Sequence, residues 1–164
     1  MFRGYIFVIL LLVLGLVACE PDRTCRQDTE VEATVVLKCY HFDTLDVAKT
    51  EETWDSITVQ GVGSDSVLYQ NRKGVKHVYL PLREDTTVTA FRMTWQGKTE
   101  TLYIRHDNTQ RFVSMACGCV IYHQIEQVWT DKVWADSVTI LNTGVEAAEQ
   151  DNICIYATKR DEKL

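Results

Sequence analysis

The stretch VEATVVLKCYHF, residues 31–42, places Val31, Ala33, Val35, Leu37 and Cys39 on one face of an extended chain and Glu32, Thr34, Lys38 and Tyr40 on the other. Side chains of a strand point alternately to its two faces, so this apolar/polar repeat of two predicts a half-buried β-strand. The same reading extends down the chain. SITVQG (56–61) and SVLYQN (66–71) flank VGSD, a Gly/Ser/Asp turn, and VKHVYLPL (75–82) follows NRKG, where Asn71 and Gly74 suit a hairpin. TTVTAFRMTW (86–95) and KTETLYIRH (98–106) flank a turn centred on Gly97. RFVSMACGCVIYHQIEQVW (111–129) reads as one long bent strand or two, with Gly118 as the bend. DSVTILN (136–142) and NICIYAT (152–158) complete the set.

About nine short strands rich in Val, Ile, Thr and Tyr predict an all-β fold, an antiparallel β-sandwich that is Ig-like or similar. The best helical segments are LDVAKTEETW (45–54) and TGVEAAEQ (143–150), each good for a turn or two.

The N-terminus carries an address. Arg3 precedes an apolar run from Tyr5 to Val17, too short for the roughly 20 residues a membrane-spanning helix needs. A charged start, a short apolar core and small residues before a cut mark a secretory signal. Leu16-Val17-Ala18-Cys19 resembles the lipobox of bacterial lipoproteins, in which the cysteine is acylated and the chain is cut before it. The expected organisation is a signal peptide over 1–18, a lipidated tether over 19–29 and one β-sandwich domain over 30–164. Cleavage removes Arg3 and leaves 16 basic against 23 acidic residues, a formal net charge of −7. An acidic domain repels phosphate backbones, which argues against a nucleic-acid partner. Membrane attachment is expected through the N-terminal acyl chains, since stable anchoring takes more than one chain. The expected place is the cell envelope, at the outer membrane, with an envelope protein or a glycan as partner.

Several stretches together resemble an uncharacterised family of small Bacteroidetes lipoproteins: Cys19 and Cys25 in CEPDRTC, GVGSDS (61–66), LPL (80–82) and FVSMACG (112–118), in that order. The likeness covers most of the mature chain and weakens after about Val120. It implies a lipid-anchored β domain without a known activity, and cysteines at the positions of Cys25 and Cys117. Cys39, Cys119 and Cys154 depart from that pattern.

With Cys19 acylated, five thiols remain for an oxidising compartment, an odd number. A Cys25–Cys117 disulfide is expected on the resemblance, tying the tether to the sheet, and Cys39–Cys154 is the second pair. Cys117 and Cys119, with His123 or Cys154, could instead supply soft ligands for zinc or copper, a thiolate metal carrier. A Cys-x-Cys pair in a strand need not chelate anything, and disulfide plus buried thiol is the simpler expectation. His41, His77, His106 and His123 fall one per strand region with no second ligand at i+2 or i+4.

GVGSDS lacks the Lys-Ser/Thr and following helix of a phosphate loop and reads as a hairpin turn. No nucleophile elbow, zinc-protease helix or calcium loop is present. Trp54, Trp95, Trp129 and Trp134 either fill the core or stack on sugars, and the loop carboxylates Glu51, Glu52, Glu84 and Asp85 read as solvated. The expected function is therefore a non-catalytic binding or structural domain with no cofactor. A glycan-active hydrolase or glycan-binding module using loop carboxylates and exposed Trp is the alternative.

Overall fold

The structure, a computed structural model, describes residues 34–42, 49–115, 118–145 and 150–158. Cys19, Cys25, Cys117 and the signal and tether boundaries lie outside these residues. Two sheets face each other. The first contains β1 (Thr34–Phe42), β2 (Lys49–Glu52), β5 (His77–Pro81), β9 (Ser137–Ile140) and β11 (Asp151–Thr158). In it β1 lies beside β11, β9 flanks β11, and β2 and β5 share the other side of β1. The second runs β10 (Gly144–Val145), β8 (Gly118–Thr130), β7 (Lys98–Ser114), β6 (Val88–Trp95), β3 (Ile57–Gly61) and β4 (Val67–Arg72).

The expected all-β sandwich is thus the fold, with eleven strands among the described residues in place of nine. Lys49–Glu52, inside the expected helix 45–54, is a strand antiparallel to the end of β1. Gly144–Val145, inside the expected helix 143–150, is a strand on the edge of β8. In both segments pairing with a neighbour satisfies the backbone groups that one isolated helical turn would leave open. The pairing is antiparallel throughout the described strands except between β1 and β11, which run parallel.

The alternation that predicts β1 also builds the core. Val35, Leu37 and Cys39 are fully buried and meet Ile153, Ile155 and Ala157 of β11. Phe91, Met93, Leu102, Ile104 and Ile125 close from the other sheet, with Trp54 at the strand-like bridge to Val75. Two further sequence signals find their structural cause. Gln96 and Gly97, both at positive φ, join Trp95 to Lys98 as a two-residue hairpin whose twist matches the strands. Gly118, at φ +70, opens β8, and the long 111–129 stretch is two strands.

β7 and β8 are the longest strands, of 17 and 13 residues. β6 covers β7 only as far as Arg105, and β10 covers β8 only at His123 and Gln124. Beyond these points, among the described residues, 109–114 and 118–122 pair only with each other and form a two-stranded arm. Its base lies at the end of the sandwich where β1 begins. Thr34 is paired with Pro81, the chain from Pro81 runs into residues 83–86, and Asn108 at the foot of the arm bonds the carbonyls of Glu84 and Thr86.

Candidate functional site

At this same end the core becomes polar. Leu102, Ile104, His106 and Asn108 follow one another along one face of β7, and the strand register sets Asn108 opposite His123 of β8. His106 is 1% exposed and His123 7%. The Asn108 amide cannot be reversed, because its nitrogen donates to the carbonyl oxygens of Glu84 at 2.9 Å and Thr86 at 2.8 Å. Its oxygen therefore faces both imidazoles and accepts from Nδ1 of His106 and Nδ1 of His123, each at 2.7 Å.

Those two bonds assign the protons, because an amide oxygen can only accept. Each histidine carries hydrogen on Nδ1. In the neutral form Nε2 of His106 is then an acceptor, and it takes the hydroxyl hydrogen of Thr89 at 2.9 Å. Thr89 Oγ1 in turn accepts from the backbone N–H of Arg83 at 3.1 Å. Burial pushes both imidazoles below the ordinary histidine range, His123 further through the neighbouring His106, and the rings meet edge to face at 5.3 Å. The hydrogen bond to Asn108, then Asp107 and Glu126, oppose the shift at His106, and Glu84 opposes it at His123. The result is a chain of neutral groups that ties the loop after β5 to the arm.

Thr89 also belongs to a groove on its other side. A cavity of about 240 Å³ lies between the Gly61–Ser66 turn, the Pro81–Arg83 segment and β6. Val62, Leu68, Leu82 and Phe91 give it apolar walls, while Ser64, Ser66 and Thr89 bring hydroxyls. Gln60 Nε2 and the Ser64 hydroxyl hold the turn by bonds to Ser64 O and from Ser66 N–H. The Arg83 guanidinium at the rim is forked onto Asp85 at 2.9 and 2.7 Å. A volume below the usual ligand-pocket range suits one large side chain or the end of a small molecule.

A second buried polar group sits at the opposite end. Glu100 is fully buried, and its Oε2 accepts three successive backbone N–H groups, of Val133, Trp134 and Ala135, at 2.6, 3.0 and 3.1 Å. The loop wraps the carboxylate as a nest wraps an anion. Lys132, at φ +60, makes the bend that aims these donors inward.

The residues singled out from the sequence fare differently. Cys39 shares the core face with its partner Ile155, whereas Cys154 pairs with Lys38 and projects from the opposite face. For the expected 39–154 pair, adjacent strands bring the two backbones together but send the side chains to opposite faces of the sheet. Cys119 is an exposed thiol on the arm. It shares a strand face with His123 but stands four residues away, roughly 13 Å at about 3.3 Å per residue. Metal ligands must lie within about 4 Å of one another, so this pair does not chelate. No cluster of three His, Cys, Asp or Glu side chains suited to a metal ion occurs among the described residues.

The tryptophans divide into two that are buried and two, Trp129 and Trp134, that are half-buried. Trp54 and Trp95 are buried. Trp134 packs edge-on to Trp95 at 5.4 Å. Trp129 has one face stacked on Tyr103 at 5.2 Å, with the Arg105 guanidinium 5.8 Å from its ring centre. The carboxylates are dispersed: Asp85 is held by Arg83, Glu51 lies 4.0 Å from His77, and Glu84 borders the histidine pair.

The family model of a family of unknown function, DUF6452, matches residues 56–157. The chain belongs to this family. The matched span holds the groove, both histidines, Asn108 and Glu100. It begins at Ser56, after CEPDRTC, and continues past Val120 to Ala157. Comparison with curated proteins and with solved structures returns no match.

The His106–Asn108–His123 cluster has no signal in local spacing, because its members meet across two paired strands. The available signal was His-x-Asn at 106–108, two polar residues continuing the inward face of β7 where aliphatic residues should stand.

Proposed function

We propose that this family member is a lipid-anchored cell-envelope protein, held at the outer membrane by acyl chains on Cys19, whose sandwich binds a partner without catalysing a reaction. The lipobox-like LVAC, the FVSMACG stretch and the resemblance to Bacteroidetes lipoproteins support the anchor and its setting. A Cys25–Cys117 disulfide belongs to the same reading. No helix among the described residues is long and apolar enough to cross a membrane.

The observation that carries the binding reading is the groove of about 240 Å³. It combines apolar walls with hydroxyls, and its wall residue Thr89 is fixed by the buried histidine chain, which keeps the site in shape. The chemistry on hand suits recognition. Among the described residues the one hydroxyl bonded to the histidines, that of Thr89, is buried and accepts from a backbone N–H, which does not suit a nucleophile. A protruding apolar side chain of an envelope protein, or the apolar end of a small molecule, fits the volume.

The test fills the groove from its exposed wall. Val62→Trp and Ser66→Trp should leave the melting temperature within a few degrees and abolish capture of the partner from solubilised envelopes. Unchanged capture with both variants overturns the groove as the binding site. Turnover of a glycan or peptide substrate by the purified protein overturns the non-catalytic reading.

A further inference from the structure

We infer that the β7–β8 arm is a second membrane contact, dipping its apolar tip into the same bilayer that holds the acyl chains; this rests on the lipid-anchor reading above. The arm carries two of the most exposed apolar side chains among the described residues, Phe112 at 63% and Met115 at 94%. Side chains of that size left in water on a paired two-stranded projection have no structural task in the sandwich, and no described strand lies across them.

The position of the chain ends chooses the occupant. β1 starts at Thr34, at the end of the sandwich from which the arm projects. From Cys19 to Thr34 is a span of 15 residues, roughly 50 Å fully extended at about 3.3–3.6 Å each. An acylated Cys19 therefore attaches the lipid at this end of the domain and not at the Gln96–Gly97 end. The arm reaches some 20 Å beyond Asn108 at about 3.3 Å per residue. It thus spans much of the remaining gap whenever the tether is less than fully extended.

The residues just behind the tip suit a headgroup layer. Arg111 lies 5.0 Å over the ring of Tyr122, which puts a guanidinium and a phenol side by side where the arm would cross the phosphates. Amphipathic side chains of this kind settle at the membrane–water boundary, and apolar ones continue past it. Two contacts, one covalent through lipid and one through the arm, would orient the groove relative to the bilayer instead of leaving the domain to swing on its tether.

Met115 reports on this directly, since peroxide converts an accessible methionine to its sulfoxide. The described chain contains one other methionine, Met93, which is fully buried and serves as an internal check on folding. The acylated protein is placed on phosphatidylethanolamine/phosphatidylglycerol vesicles at less than one chain per vesicle, which keeps second copies apart. Its sulfoxide formation is compared by mass spectrometry with that of a soluble Cys19→Ser chain lacking residues 1–18. Expected is Met115 oxidation slowed about tenfold or more on vesicles, with Met93 unreactive in both. Co-sedimentation with vesicles reads the anchor, and oxidation reads the arm. A protein that sediments yet oxidises Met115 at the solution rate overturns the arm contact and leaves the anchor standing. A protein that does not sediment overturns both. Protection that appears only at high surface density assigns the tip to a second copy of the chain and overturns the lipid contact.

Discussion

Replacing Asn108 by alanine isolates the energetic role of the histidine cluster. The substitution removes the acceptor shared by the Nδ1–H groups of His106 and His123 and the donor that holds the Glu84 and Thr86 carbonyls. The loop carbonyls can turn to water, but the imidazole N–H groups lie in side chains only 1% and 7% exposed. A buried donor left without a partner costs about 1–3 kcal/mol, so the pair sets a range of about 2–6 kcal/mol. Asn108 itself is half-buried, and water entering its place brings the expected loss to about 2–4 kcal/mol. Against a native stability of about 5–15 kcal/mol this is a large share. Equilibrium urea unfolding should show the midpoint falling while the slope stays the same. Asn108→Asp keeps an acceptor for both rings but loses the donor to the two carbonyls. It should be less damaging than alanine and should raise both imidazole pKa values. A loss under about 0.5 kcal/mol for Asn108→Ala would show that the two N–H groups are not held as described.

Acidification should destabilise the domain through the same histidines. Their folded pKa values lie below the unfolded value of about 6.5, so their contribution is fully present above that pH and is lost as pH falls from there toward the folded pKa. Melting temperatures measured from pH 7.5 downward should drop in that window, and a profile no steeper than that of a His106→Gln, His123→Gln variant would refute the assignment. Glu100→Ala should cost about 3 kcal/mol, because three inward N–H groups lose their acceptor, whereas Glu100→Gln keeps a carbonyl oxygen for them and should cost less; equal losses in urea unfolding would contradict the nest. Cys119 should alkylate in the native protein without denaturant while Cys39 should not, as judged by peptide mass mapping; a protected Cys119 would contradict its exposure on the arm.

Strands whose inward face is wholly apolar were legible from the chain alone. The period of two in β1 named Val35, Leu37 and Cys39 as core, and Gly97 and Gly118 marked a hairpin and a strand entry, whereas the hairpin expected at Asn71–Gly74 is instead a crossing between sheets, since β4 and β5 do not pair. β2 and β10 were misread because four and two residues carry too little periodicity, and both exist only through pairing with a strand distant in sequence. The histidine cluster was illegible for a related reason: His106 and Asn108 meet His123 through the register of a hairpin, which a single strand does not disclose. The sulfur positions depended on the same kind of fact. Whether Cys39 and Cys154 share a face is decided by the bulge between Val36 and Leu37 in the β1–β11 register, where one residue's slip reverses the answer.

The parallel β1–β11 pair has a kinetic consequence. Leu37 and Ile153 are partners separated by most of the domain, and closing a loop of that length costs about 4 kcal/mol of chain entropy before any contact rewards it. β11 is also an interior strand, between β1 and β9, so the first sheet has no stable half-built form with an ordinary edge. A chain emerging N-terminus first can pair β1 with β2 and β5 but must hold its other edge open until Asp151–Thr158 arrives. Folding is then an event of the completed chain, in the slow range typical of non-local β topologies. A product truncated before Asp151 would leave two open sheet edges, on β1 and β9, a substrate for proteolysis or aggregation rather than a smaller working domain.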